Sequence, residues 1–286
     1  MGKEAKVKTG VILQVLICTC GETGLEKVAA MTLPQAAGIG YLVSIQAKTM
    51  PPVPESIATR EDLAIFHTCT HGLSLNRNHA IAHSTAPLCL IADDDLHYNA
   101  GGLQAVIDTF SKHPETDIAA FSHTGGDNKY FPSYGFDMSR PPKGYYLTSF
   151  EIAFRRSSVT GCGIRFNEFF GLGCDRFGSG EEDIWMADCL RSGLKARFFP
   201  VDIVTHPGRT TGTSRQGTES VLRAQGAVIA YTYGASSLPR TILKAFRASR
   251  SSGTSLLKCA RAAIEGWLTA KFKPGSIGLK RLPQCQ

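Results

Sequence analysis

The sequence predicts an α/β fold in which a mixed, mostly parallel sheet is flanked by helices and followed by a C-terminal helical tail. Three observations predict it. Short apolar runs bounded by turn residues recur as far as Ser122, helical segments separate them, and the run Pro87-Leu88-Cys89-Leu90-Ile91-Ala92 ends in three consecutive aspartates, Asp93, Asp94 and Asp95. A short apolar run between turn signals reads as a buried strand. Strands alternating with helices form a mostly parallel sheet with helices on both faces. Carboxylates at the tip of such a strand stand where open α/β sheets bind ligands, beyond the carboxyl ends of the strands.

In order along the chain, Val11 to Thr19 is the first strand. A helix over about Leu25 to Ala37, closed by Gly38, precedes a second strand from Gly40 to Gln46. Leu63 to His67 is the third strand. Gly72-Leu73-Ser74 opens a helix to about His83, with Ser74 as its N-cap. Leu88 to Ala92 is the strand that ends at the aspartates. Gly101 to His113 is helical, with Leu103, Val106, Ile107 and Phe110 on one face, and Asp117 to Ser122 is a further strand. The alternation then breaks down. His123 to Gly144 is polar, aromatic and glycine-rich and reads as a long surface loop, a kind of segment that is usually functional or disordered. Tyr145 to Phe154 reads as a strand, Asn167 to Gly180 as a glycine- and phenylalanine-rich bend, Glu181 to Arg191 as a helix and Ala196 to Val204 as extended chain. The expected division is one domain over residues 1–225 and a basic amphipathic tail over residues 226–286.

Composition narrows the function classes. The chain has 286 residues, 43% hydrophobic and 19% charged, enough for one substantial core or one core with an appendage. No run approaches the roughly 18 apolar residues of a membrane span, and Met1 to Lys8 is charged and lacks the apolar region and cleavage site of a signal peptide. Nine cysteines, an odd count without Cys-x-x-Cys pairs, argue against a disulfide framework or zinc ribbon and for reduced thiols in the cytoplasm. The net charge of +7 is uneven: residues 240–286 hold ten Lys/Arg and one acid, Glu265, whereas residues 1–239 hold 21 basic and 23 acidic residues. Nothing in the near-neutral body reads as a nucleic-acid module. In the tail, Leu238, Ile242 and Phe246 share one helical face and Arg240, Lys244 and Arg247 another, and Leu256, Leu257, Ala260, Ile264, Trp267 and Leu268 follow at helical spacing. Two readings fit: a basic amphipathic tail, within residues 236–286, that lies on an anionic membrane, or helices that pack on the domain or on a second subunit.

The aspartates also admit two readings. One is a solvated acidic turn capping the helix near Gly101. The other is a cation site, because adjacent carboxylates repel each other and a divalent cation held by one or two of them plus substrate phosphates removes that cost. Two further features recur in an order that has a mechanism. Gly180-Glu181-Glu182-Asp183 places carboxylates at a helix start, where capping is the simpler explanation, and His206 ends the next extended segment. A metal on the strand-end carboxylate would neutralise a diphosphate leaving group, a helix-start carboxylate would take a proton from an attacking hydroxyl, and the His would complete the metal shell.

That order resembles the family 2 glycosyltransferases, inverting nucleotide-sugar-dependent enzymes with the GT-A fold, over about residues 10–210. Val15-Leu16-Ile17-Cys18-Thr19-Cys20 looks like the strand that cradles the nucleobase, Gly72-Leu73-Ser74-Leu75-Asn76-Arg77-Asn78 like the helix with the Arg-Asn pair, Asp93-Asp94-Asp95 like the D-x-D element, and Gly180-Glu181-Glu182-Asp183 like the element that supplies the base. The resemblance implies a GT-A domain over residues 1–225 that uses a nucleoside-diphosphate sugar, UDP-linked, with Mn²⁺ or Mg²⁺. Thr19, Cys20, Gln46, Arg77, Asp93 and Asp94 would bind the donor, Asp95 and His206 the metal, Asp183 would be the general base, and Glu182 would position hydroxyls. Trp185 would stack on an acceptor sugar or belong to the core. The acceptor is expected to be a glycan or glycolipid hydroxyl, as in polysaccharide assembly, with the protein in the cytoplasm or on the cytoplasmic membrane face.

Departures keep alternatives open. The second strand ends in Gln46, where the family often has an aspartate-rich stretch, and the segment with Pro51, Pro52 and Pro54 has no counterpart. An inactive nucleotide- or sugar-binding protein of the same fold is one alternative. A sugar-1-phosphate nucleotidyltransferase is another, weakened because the loop Cys20-Gly21-Glu22-Thr23-Gly24 has no basic residue before Lys27. His79 and His83, four apart on a helix, are a minor candidate for zinc.

Overall fold

The computed structural model describes residues 10–126, 129–174, 176–206, 208 and 217–280. These fall into two compact units, one within segments 10–71, 76–165 and 188–208 and the other within 72–75, 166–187 and 217–280.

The first unit is a nine-stranded sheet. β1 (Leu13–Cys20), β2 (Ile39–Gln46), β3 (Leu63–Thr68) and β4 (Leu88–Ala92) are parallel in the order β3-β2-β1-β4. β5 (His97–Tyr98), β6 (Ile118–Gly125), β7 (Phe136–Asp137), β8 (Ile152–Arg155) and β9 (Ala196–His206) extend it as β4-β8-β6-β9-β5, with β7 also on β9; β8 runs antiparallel to both its neighbours. The continuous apolar character of β1, β2 and β4 matches their burial on both faces, as expected of central parallel strands. One face is filled by Leu13, Val15 and Ile17 with Tyr41, Val43, Ile45, Leu88 and Leu90, and is covered by Leu25 and Val28 of α1 (Gly21–Ala30) and by Leu103, Val106, Ile107 and Phe110 of α4 (Ala100–Lys112). Two short helices, α2 (Glu55–Ala58) and α5 (Arg156–Gly161), and the longer α3 (Leu73–His83) complete the connections up to residue 165.

Several expectations are corrected here. The first helix starts at Gly21, whose φ of +68° suits glycine, and ends at Ala30 rather than Ala37. Pro34 lacks the N–H a helix needs and biases Leu33 toward extended backbone. Ser74 does not cap α3: it lies one residue inside, and its hydroxyl donates to the Phe170 carbonyl at 2.6 Å. Only Ile152–Arg155 of the expected strand from Tyr145 pairs, because Ser149–Glu151 forms a 3₁₀ turn.

That turn organises what reads in the sequence as a surface loop. Glu151 is wholly buried and accepts from Lys129 Nζ at 2.6 Å, from the Thr148 amide at 3.1 Å and, in the tautomer that donates, from His123 Nδ1 at 2.8 Å. The ammonium of Lys129 also lies over the rings of Phe131, Tyr145 and Tyr146. Chemical denaturation of Glu151→Ala should therefore show a loss of about 3–5 kcal/mol, the usual cost of leaving one member of a buried ion pair behind. An effect below 1 kcal/mol would contradict this account of the loop.

The second unit holds the start of α6 (Glu181–Arg191) and three helices, α7 (Glu219–Tyr233), α8 (Ser237–Ser252) and α9 (Leu256–Phe272). Residue 225, expected to end the first domain, lies inside α7. α7 and α9 meet through small residues, Ala224, Ala227, Ala262, Ala263 and two glycines. A Cβ on Gly226 would strike the Ala263 carbonyl, and one on Gly266 the Arg223 carbonyl. Helix propensity alone favours Ala over Gly by up to about 1 kcal/mol. Here the sign should reverse: Gly266→Ala should lower stability by about 1–3 kcal/mol in a thermal or denaturant melt, as overpacking does.

Candidate functional site

The parallel register brings the expected donor residues to one edge of the first unit. Cys20 lies opposite Gln46, Gln46 opposite Thr68, and Ile17 opposite Ala92, so β1, β2, β3 and β4 all end on the same side. The chain runs outward from β1 to β2 and β3 and then returns to the other flank of β1 as β4. The crevice between β1 and β4 is thus a topological switch point, the place where open sheets of this kind bind ligands, and Asp93, Asp94 and Asp95 follow β4 directly.

Neighbouring side chains fix this edge. Asn76 Nδ2 donates to the Thr19 carbonyl at 2.9 Å, and Ser44 Oγ donates to Asn76 Oδ1 at 2.6 Å. The Arg77 guanidinium, only 1% exposed, donates to Asp93 Oδ1 at 3.3 Å and to Ser149 Oγ at 2.7 Å. Thr19 Oγ1 donates to Asp94 Oδ2 at 2.6 Å, with Lys27 Nζ 3.6 Å from the other oxygen of Asp94. Gly24 permits this pairing, since a Cβ there would collide with the Thr19 hydroxyl. Gln46 is buried and its amide donates to Thr70 Oγ1 at 3.0 Å. Cys20 is exposed at the strand tip, whereas burial pushes the Cys18 thiol up to about 12 and leaves it an inert core residue. Ser149 and Thr70 were not singled out in the sequence, and Asn76 and Lys27 were given no such role there; these contacts depend on which segments the sheet brings together.

The three aspartates do not cap a helix. β5 intervenes, and Asn99 caps α4 by accepting from the Gly102 amide at 2.7 Å. Asp95 is exposed, and its Oδ1 lies 3.8 Å from Nε2 of the nearly buried His206. Two ligands each about 2.0–2.2 Å from one cation are separated by roughly 3–4 Å, so this pair fits a shared metal. The Gly208 amide donates to His206 Nδ1 at 3.2 Å, which puts the proton of a neutral ring on Nε2. To hold a cation through Nε2, the ring would have to carry its proton on Nδ1 instead, giving up the Gly208 bond. Among the described residues, no three His, Cys, Asp or Glu side chains converge into a metal cage. This includes His79 and His83, whose Nδ1 atoms contact Ser44 Oγ at 2.8 Å and the His79 carbonyl at 2.9 Å. Burial also lowers the pKa of His79, as does His83.

In the second unit, Glu181, Glu182 and Asp183 form the first turn of α6 after Gly180, whose φ is +86°. Glu181 is buried, Glu182 half-buried and Asp183 exposed. Lys244 of α8 interacts electrostatically with Asp183; its pKa is lowered by desolvation, against the pull of Asp183 and with the repulsion of Arg247. Its distance along the chain hid this partner from the sequence reading. Trp185 is corrected to a core residue. It is wholly buried and stacks on Phe166, with centroids 5.3 Å apart, and so offers no face to a sugar.

A glycosyl transferase family 2 profile matches residues 60–170, which span β3, α3, β4 and the aspartates. No curated protein matches the chain. Among solved structures, S. aureus TarS residues 1–349 superposes with a TM-score of 0.55 at 12% identity, covering 93% of this chain and 92% of that one, and it was also solved with UDP-GlcNAc. The mannosyltransferase PcManGT from Pyrobaculum calidifontis, solved with GDP-Man and Mn²⁺, superposes with a TM-score of 0.53 at 15% identity over 95% of this chain and 85% of that one. Residues 60–170 thus carry the glycosyl transferase family 2 signature, and the superpositions show that the chain shares the fold of these two glycosyltransferases.

Proposed function

We propose that the chain is an inverting transferase that moves a sugar from a UDP-linked donor to a hydroxyl of a glycan or glycolipid acceptor. The observation that carries this reading is the edge at β1 and β4, where Arg77 braces Asp93 and the exposed Asp95 stands beside His206. In this reading Thr19, Cys20, Gln46 and Asp93 take the nucleobase and ribose side of the donor, and Asp94 assists Asp95 at the diphosphate. Asp95 and His206 would hold Mn²⁺ or Mg²⁺, which would supply positive charge to the diphosphate. The PcManGT complex contains such a cation beside a nucleotide sugar, and TarS was solved with UDP and UDP-GlcNAc, which supports the choice of donor.

Chemically, Asp183 takes the proton of the acceptor hydroxyl as its oxygen forms a bond to the anomeric carbon. The bond from that carbon to the diphosphate breaks on the opposite side, and the nucleoside diphosphate leaves with the electron pair. Glu182 orients hydroxyls. Arg77, nearly buried, acts through the Asp93 carboxylate it holds rather than by direct contact. The reading places the protein in the cytoplasm or on the cytoplasmic membrane face, with residues 236–286 as the contact.

Two substitutions separate the roles. Asp183→Asn should lower kcat roughly 10²–10⁴-fold, the worth of a positioned base, while donor affinity stays at the wild-type value. Asp95→Asn should cost several kcal/mol of transition-state stabilisation, roughly 100-fold or more in turnover, and should weaken donor binding as well. Wild-type turnover of Asp95→Asn at saturating metal would remove Asp95 from the metal site. Donor binding without transfer by the wild type would point to a binding protein.

A further inference from the structure

Helix α8 is packed the reverse way from an ordinary amphipathic helix. Its buried residues are the small ones, Ser237, Thr241 and Ala245, and Trp267 Nε1 of α9 donates to Ser237 Oγ at 2.9 Å. Its large apolar residues face outward: Leu238, Ile242, Leu243 and Phe246 are 38–52% exposed. Beyond Gly253 the strip continues into Leu256 and Leu257, the latter 82% exposed. α8 also carries Arg240, Lys244, Arg247 and Arg250 and no acidic residue. Two of these cations lie over aromatic rings on the same surface, Arg240 over Tyr233 at 4.3 Å and Arg250 over Phe246 at 5.7 Å.

A contiguous exposed apolar strip marks an interaction site, and cations alongside it select a partner with negative charge and an apolar interior. Shallow burial of Phe and Leu side chains, with Arg reaching up to anionic headgroups, satisfies both halves of the surface. Among the described residues no helix is long and apolar enough to cross a membrane, so contact by α8 would be in plane.

We propose that α8, with the Leu256–Leu257 turn, docks the chain on an anionic bilayer and that the acceptor is lipid-linked. The docking half names the residues that hold the chain at the membrane face; the acceptor half rests on the transferase reading above. The docking helix and Asp183, the proposed base, belong to the same unit.

The test uses the full chain without donor or acceptor, sedimented with vesicles of phosphatidylcholine alone or mixed with phosphatidylglycerol. Binding should be roughly tenfold or more tighter to the anionic vesicles and should weaken with salt. Ile242→Glu/Phe246→Glu should abolish binding to both vesicle types. Arg247→Ser/Arg250→Ser should remove the preference for anionic lipid and leave weak neutral binding. All four side chains are exposed, and unchanged melting curves would confirm intact folds. Wild-type chain that ignores anionic vesicles, or charge and apolar variants that bind like wild type, would overturn the proposal. So would a dimer in sedimentation that Ile242→Glu/Phe246→Glu dissociates without any vesicle binding, since the face would then belong to a second copy. For the acceptor half, transfer to a lipid-linked acceptor in anionic vesicles should fall with the apolar variant while transfer to a soluble acceptor does not; equal loss on both would overturn it. Because vesicle binding is read without donor, failure of the transferase reading leaves the docking result standing.

Discussion

Two adjacent side chains of α3 hold the ends of two neighbouring parallel strands, and the arrangement of the donor edge depends on them. Asn76 grips the Thr19 carbonyl near the end of β1, and Arg77 grips Asp93 just past β4. Parallel pairing sets the register of β1 and β4 but leaves the chain free to turn in any direction once the ladder stops. Asn76 and Arg77 restrict that freedom. The buried guanidinium would be costly without a carboxylate, and Asp93 meets that requirement while giving up only part of its exposure. With Asp93 braced and Asp94 tied to Thr19, Asp95 is the member of the triplet left facing outward, beside His206.

This division of labour explains why three consecutive carboxylates are tolerated. Asp93 meets Arg77 and Asp94 meets Thr19 with Lys27, while Asp95 is exposed to water beside His206. Their mutual repulsion is spread over separate partners before any ligand arrives.

The parallel half of the sheet was legible because β1, β2 and β4 are apolar on both faces, a pattern that burial between helices imposes. The strand-end aspartates were visible because they follow an apolar run directly, but the sequence left a capping turn and a cation site both open for them. Much less could be read where long-range partners decide. Nothing near Tyr145 in the chain announces that Glu151 will be buried against Lys129 and His123, so a strand was expected where a turn forms. Trp185 sits two residues after Asp183, but its ring turns inward onto Phe166, and helical spacing alone does not distinguish those directions. In the tail, helical periodicity found the apolar rows of α8 and α9 correctly. It did not reveal that α9 packs closely on α7 through small residues, or that α8 buries Ser237, Thr241 and Ala245 and leaves its large residues outside, because both depend on partners far along the chain.

The central claim is that Asp95 and His206 make the donor edge a metal-dependent nucleotide site. Calorimetric titration of UDP, GDP and their sugars into wild type and Asp95→Asn, each with and without Mn²⁺, tests it most directly. The account predicts that UDP binds the wild type tightly only when Mn²⁺ is present and that the variant loses this dependence. Binding of UDP that is equally strong without metal or in Asp95→Asn, or the absence of binding by any of these nucleotides, would contradict it.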